Sequence, residues 1–478
     1  MLAELAPRSR EKIHGPRVGR WLEMRQMHAD FDWLPQPQAE LLVRELQDAA
    51  LQTSPTLNRF AERLLAETGT RLVDWLDHLS ASADPLLDQR LSEAGFERVE
   101  DVGASQATIW EHPLGLLPNI CLHSQAGSGL AIRAESVSDF LAAHAGVDAT
   151  EIQGSPGASL RTACVCIENE TDFCVVERHG HRGYEPLQAD LDLQSLLTQH
   201  EVALAGRQRV WEDPLQGFDH TDQLVRSAQD DLGVARTADL FFQTERAFWQ
   251  NRNRAARVQK HRQDLLGLGW ANHDHHTYRS SRRYFSRLIQ SLEVLGCRCR
   301  ERFHAGQSAG WGAQVLEHPD CGVVVFADLD LTGAEAGQDF AHDPLPESGD
   351  LHTVGLWCGL HGEAFLEAGL HHLECQFDFD AVREQLHACG VETMRPFTDW
   401  PFLKQAFTEG ERWTVRTERL NALMQAGLIT QQQADVFADQ GAVGSHLEVL
   451  QRDQGYKGFN RSGISEIITR TDPRGGKG

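Results

Sequence analysis

The chain repeats itself, and a sequence that does so is built from copies of one supersecondary unit. Leu91-Ser-Glu-Ala-Gly-Phe-Glu-Arg-Val-Glu100 runs parallel to Leu292-Glu-Val-Leu-Gly-Cys-Arg-Cys-Arg-Glu301. Ala104 and Gln106 match Ala305 and Gln307, and Glu111-His-Pro113 matches Glu317-His-Pro319. Phe173-Cys-Val-Val-Glu-Arg178 stands opposite Leu447-Glu-Val-Leu-Gln-Arg452. Matches kept in one order predict two related modules with additions. The 478 residues alone allow three unrelated domains at roughly 150 residues each.

Hydrophobic period gives the content of a module. His275–Ser280 reads as a strand, and Tyr284, Phe285, Leu288, Ile289, Leu292 and Leu295 share one helical face that Gly296 ends. Strands follow at Cys297–Phe303, Gly312–Leu316 and Val323–Ala327, so the order is β-α-β-β-β. A second unit opens with strand His371–Phe377 and continues as a helix through Phe379, Val382 and Leu386 to Gly390. After an insertion that is helical around 420–437, strand His446–Leu450 closes it. Residues 91–190 are also strand-rich, at Ala107–Trp110, Ile120–Leu122, Arg161–Ile167 and Phe173–Val176. The predicted class is α+β: tandem βαβββ modules over 91–190 and 266–478, a helical N-terminal region over 1–90, a helical connector over 191–265, and helical insertions.

The 69 acidic residues exceed the 45 Lys and Arg, a formal net charge of −24. Polyanionic partners need clustered Lys and Arg, so nucleic acid and anionic membranes are excluded as partners. The charged run Arg252–Arg262 reads as a solvated helix face. No apolar run approaches the roughly 20 residues of a membrane span, and the basic stretch 1–20 lacks the apolar core of a signal peptide. Ten scattered cysteines, none in a CxxC pair, suit buried thiols in a reducing cytoplasm. His179-Gly-His181 reads as a solvated turn. The expectation is a cytoplasmic protein with a small anionic ligand, open to homo-oligomerisation.

Metal-ligand chemistry concentrates at His273-Asp-His-His276, at His371-His372 and at Glu448. Period-2 geometry puts His275, Thr277 and Arg279 on one strand face and His276 and Tyr278 on the other. Glu448 sits between Leu447 and Val449, where an ionised carboxylate is costly unless paired or metal-bound. His275, His372 and Glu448 thus form a candidate two-histidine, one-carboxylate triad of the kind that holds non-haem Fe(II), with another divalent metal as the alternative. His276 and His371 are rival ligands. The competing reading has hydrogen-bonded structural histidines and a Glu448–Arg452 ion pair. Aligned through Arg178 and Arg452, the N-terminal copy has Cys174 in place of Glu448 and Gly129, Leu130 or Ala131 in place of His372, which predicts a metal-free half.

The paired units resemble the vicinal oxygen chelate superfamily, which implies open barrels with metal ligands on first and closing strands. Gly369-Leu-His-His372 with Asp380-Ala-Val-Arg383 is similar to the second-histidine segment of the 4-hydroxyphenylpyruvate dioxygenases. Glu448-Val-Leu-Gln-Arg452 and Gly455-Tyr-Lys-Gly-Phe-Asn460 resemble their closing strand and turn. The 2-oxoadipate dioxygenase/decarboxylase family is matched further by His275 with Arg279 four residues on, by Glu-x-x-Gln-Arg, and by Leu403-Lys-Gln-Ala-Phe407. The resemblance implies an Fe(II)-dependent dioxygenase that oxidatively decarboxylates a 2-oxo acid with O₂. Arg279 would be its catalytic and carboxylate-binding cation, and Gln376 and Gln405 would be further substrate contacts. The alternatives are a glyoxalase-like lyase or isomerase, a zinc hydrolase, and a non-catalytic binding module. The long helical N-terminus departs from both relatives.

Overall fold

The computed structural model describes residues 33–99, 107–125, 127–145, 151–188, 192–305, 310–460 and 472–474. The stretch 1–20 and the repeat positions Glu100, Ala104, Gln106 and Gln307 lie outside them. Two open sheets carry the architecture, and each joins two units edge to edge, all of βαβββ type except the second N-terminal unit, which lacks one strand.

In the N-terminal sheet, helices α1 (Pro37–Thr53) and α2 (Pro55–Arg63) precede the first unit. That unit runs β1 (Leu76–Ser82), α3 (Pro85–Glu93), β2 (Glu97–Val99), β3 (Thr108–Glu111) and β4 (Asn119–His123). The second runs β5 (Ser128–Arg133), α4 (Val137–Ala143), β6 (Leu160–Glu168) and β7 (Thr171–Arg178), with one bridge, Gln153 to Thr162, where its second strand would be. The strand order is β2-β3-β4-β1-β5-β7-β6. The module therefore begins at Leu76 and not at residue 91, and the expected helical region ends with a strand. Leu76-Asp-His-Leu-Ser-Ala-Ser82 alternates in burial but buries Asp77 among its inward residues, so its apolar signal is weak.

Four helices follow the N-terminal sheet: α5 (Leu193–Ala205), α6 (Pro214–Leu232), α7 (Val234–Asn251) and α8 (Arg254–Asp264). Asn253 accepts from the Ala256 N–H and caps α8. Phe218, Phe241, Phe242 and Trp249 pack into the C-terminal core, while Leu266 and Leu268 join the N-terminal core with Phe60, Phe140 and Phe173. The connector thus binds both sheets.

The C-terminal sheet contains β8 (His273–Arg279), α9 (Phe285–Val294), β9 (Arg298–His304), β10 (Trp311–Glu317) and β11 (Val324–Asp330), then helix α10 (Thr353–His361). The last unit is β12 (His372–Gln376), α11 (Phe379–Ala388), β13 (Thr398–Trp400), β14 (Leu403–Phe407), β15 (Glu411–Trp413), α12 (Thr417–Gln425), α13 (Gln431–Gln440) and β16 (Ala442–Arg452). Gly296 (φ +95°) ends α9 in a backbone state that favours glycine. Strand order is β13-β14-β16-β12-β8-β11-β10-β9, with β15 beside β16. Strands β8 and β12 run antiparallel across the seam between units, and each pairs in parallel with the closing strand of its own unit, β11 or β16. Among the described residues no helix is long and apolar enough to cross a membrane.

Candidate metal centre

The seam sets the site. Antiparallel pairing places Glu374 directly opposite His275 and His372 opposite Thr277, while β16 sets Glu448 beside Glu374 and His446 beside His372. Directly paired residues point to the same face. His275, His372, Glu374 and Glu448 therefore converge, each offering one ligand atom within 4.8 Å of all the others, and all four are buried. Donors at about 2.0–2.2 Å from one ion lie at most about 4.4 Å apart, so a small readjustment, with His275 and Glu374 moving apart, would let this set close on a divalent cation.

The electrostatics point the same way. Burial and the adjacent Glu374 carboxylate push Glu448 well above the usual carboxylate range. Against the desolvation that burial imposes, the charge of His275 holds Glu374 well below it. Burial lowers His372 to about 4, which leaves its ring neutral and free to ligate. His275 Nε2 touches Glu374 Oε1, and His372 Nε2 lies 3.3 Å from Glu448 Oε2. Glu374 Oε2 is buried without a hydrogen-bond partner. One cationic histidine balances only one of the two buried carboxylates, so the other is held protonated, and a bound metal ion would let both ionise.

Each donor is also held from behind. Asp274 Oδ2 lies 3.1 Å from His275 Nδ1, which fixes the tautomer whose Nε2 faces the site. Asp274 is in turn gripped by Arg452 (3.0 and 3.1 Å) and by Gln376 Nε2 (3.1 Å). Gln405 Nε2 donates to Glu448 Oε1 (2.9 Å), and its own carbonyl accepts from Thr398 Oγ1 (3.0 Å). His371 Nδ1 lies 2.8 Å from His372 Nδ1. The walls are aromatic: Phe326 and Phe459 stand 4.5 and 5.3 Å from the His275 ring, and Phe407 stands 5.1 Å from His372.

The structure thus brings together His275, His372 and Glu448 and adds Glu374, which sequence reasoning missed. Its signal was the spacing His372-x-Glu374, which shares a strand face. His276 is turned away, with Arg246 Nη1 at 3.4 Å, and His371 supports His372 from outside the donor set. Arg452 pairs with Asp274 and not with Glu448. Gln376 and Gln405 were expected to meet substrate, but their amides are committed to Asp274 and Glu448. His179 is buried between Glu177 (3.0 Å) and Asp239 (2.8 Å) and is no solvated turn.

Arg279 lies on the His275 face, 2 % exposed, with Nε and Nη1 lacking any hydrogen-bond partner and the Trp357 ring 5.7 Å away. Its strand partner is Asp328, a second residue missed from sequence. Burial pushes Asp328 up to about 7, with Arg279 opposing. His371 Nε2, His446 Nε2 and Thr277 Oγ1 are also buried without partners.

No family model and no curated protein matches this sequence. Several solved structures show likeness. A variant of 4-hydroxymandelate synthase from Streptomyces coelicolor is 12% identical over 84% of this chain and 98% of that one, with a TM-score of 0.25. Methylmalonyl-CoA epimerase from Mycobacterium tuberculosis is 13% identical over 38% of this chain and 87% of its own, with a TM-score of 0.22. A Mn(II)-bound glyoxalase from Novosphingobium aromaticivorans is 8% identical over 79% and 82%, with a TM-score of 0.18. Superpositions this loose transfer no residue roles, and the site stands on its own geometry.

Proposed function

We propose that this chain is a metal-dependent dioxygenase of 2-oxo acids, with Fe(II) held by His275, His372 and Glu448. The observation that carries the reading is the buried Arg279, whose Nε and Nη1 have no hydrogen-bond partner, on the same strand face as the convergent donors. Fe(II) held by these three residues would supply redox chemistry with O₂. Arg279 binds the substrate carboxylate with two free N–H groups, a fork that lysine cannot reproduce. Asp274 keeps His275 in the tautomer that ligates, and Phe326, Phe407 and Phe459 exclude water. Asp328, near neutrality beside Arg279, holds or releases a proton close to the bound carboxylate.

Glu374 favours a second reading. As a fourth ligand it would complete the holding set of a non-redox divalent metal, and as a carboxylate beside the substrate it would take a proton from a substrate carbon. Either role suits a glyoxalase-like lyase or isomerase. Anaerobic purification with metal analysis, then oxygen uptake against 2-oxo acids and catechols, separates the two. Iron with substrate-dependent oxygen consumption is expected. Stoichiometric zinc or manganese without oxygen uptake overturns the dioxygenase. Arg279→Met is expected to raise KM for the 2-oxo acid by about 10- to 100-fold, the worth of a hydrogen-bonded charge.

A further inference from the structure

Apart from the metal centre, a cavity of about 400 Å³ opens between the N-terminal sheet and the connector. Arg161 on β6, Gln194 and Leu197 on α5, and Arg236, Leu240 and Gln243 on α7 line it. The carboxylates around it are accounted for. Glu177 accepts from Arg161 Nη1 (3.0 Å), His179 Nε2 (3.0 Å) and the Val137 N–H (2.9 Å), and Asp239 meets His179 Nδ1 (2.8 Å). Glu201, which also lines the cavity, is exposed to solvent. Arg236 has Asp239 and Glu177 as its nearest opposite charges but makes no hydrogen bond to either. Its Nε and Nη1 are buried without a hydrogen-bond partner, and so is Nε of Arg161. A buried N–H without an acceptor is costly, and free volume beside it gives an anion room.

We propose that this cavity is a second ligand site that takes a small organic carboxylate. The carboxylate lies on Arg236 and on Nε of Arg161, the Gln194 and Gln243 amides offer further hydrogen bonds, and Leu197 and Leu240 cover the apolar body. None of these residues belongs to the metal centre, so the site is independent of the chemistry proposed there.

The test titrates benzoate and butanoate into the EDTA-treated full chain, with chloride at matched ionic strength, and follows calorimetric heat and melting temperature. Saturable binding is expected in the wild type and in Arg279→Met. Arg236→Gln is expected to weaken it by about 10- to 100-fold. Thr198→Trp fills the cavity from the exposed face of α5 and is expected to abolish binding; it stands as the decisive variant if Arg236→Gln does not fold. No carboxylate-specific response in the wild type overturns the proposal. So does a response that survives Arg236→Gln but disappears in Arg279→Met, or equal binding of inorganic phosphate.

Discussion

Set side by side, the two sheets share a bracket and differ in what it holds. In the C-terminal sheet Asp274 lies against His275 and Arg452, and Nη1 of Arg452 donates to the carbonyls of Tyr456 and Gly458. That turn sets Phe459 at 5.3 Å from His275, with the guanidinium 4.9 Å from the Phe459 ring. In the N-terminal sheet Asp77 lies against His78 and Arg178, whose Nη1 donates to the carbonyls of His181 and Gly183. Tyr184 then sits 5.1 Å from His78, with Arg178 4.9 Å from its ring. The strand registers agree: Ala131 faces His78 where Glu374 faces His275, Cys174 pairs Ala131 where Glu448 pairs Glu374, and Gly129 occupies the His372 position. The Asp–His–Arg bracket therefore belongs to the fold, and the other three donor positions are what set the C-terminal sheet apart. The N-terminal half is also closed sterically, because a Cβ on Gly129 would lie 2.7 Å from the Asp172 carbonyl oxygen.

That comparison can be broken at four points. The largest effect is expected from His275→Ala or Glu448→Ala, which should remove bound metal and turnover together; full metal occupancy in either variant would sink the site. Asp274→Asn should weaken metal binding by about 10- to 100-fold, the usual cost of losing a ligand's support, with chelator competition as the readout. The matching Asp77→Asn should leave metal affinity unchanged and cost about 3–5 kcal/mol of stability, because it strands buried arginine charge. A change in metal content there would merge the two roles. The Arg178 charge, working against burial, holds Asp77 well below its ordinary value of 3.8. A depressed pKa contributes stability that is present above the unfolded value and lost as pH falls below it. Denaturant unfolding should thus weaken below about pH 3.8 in the wild type, and Asp77→Asn should lose that component. The smallest effect is expected from Gly129→Ala, about 1–3 kcal/mol of overpacking, with no change in metal.

Much of the C-terminal half was legible. Strands, helices and the three predicted donors follow from period, and period works where one face is uniformly apolar. It failed at Leu76–Ser82, where Asp77 is buried because Arg178 and Arg133 satisfy it from other strands. Glu374 shares its face with both His372 and Gln376, and spacing alone does not rank a glutamate against a glutamine. Asp328 and His446 owe their place to strand partners, Arg279 and His372, that no local pattern encodes.

The position of the seam has one more consequence. His275 comes from one unit of the C-terminal sheet, whereas His372, Glu374 and Glu448 come from the other. Neither unit alone owns a complete coordination sphere. A chain emerging from synthesis would offer only fragments of the set until both units have docked. A metal ion would then be captured only by finished molecules, so the join between the units acts as a checkpoint on when the site can be filled.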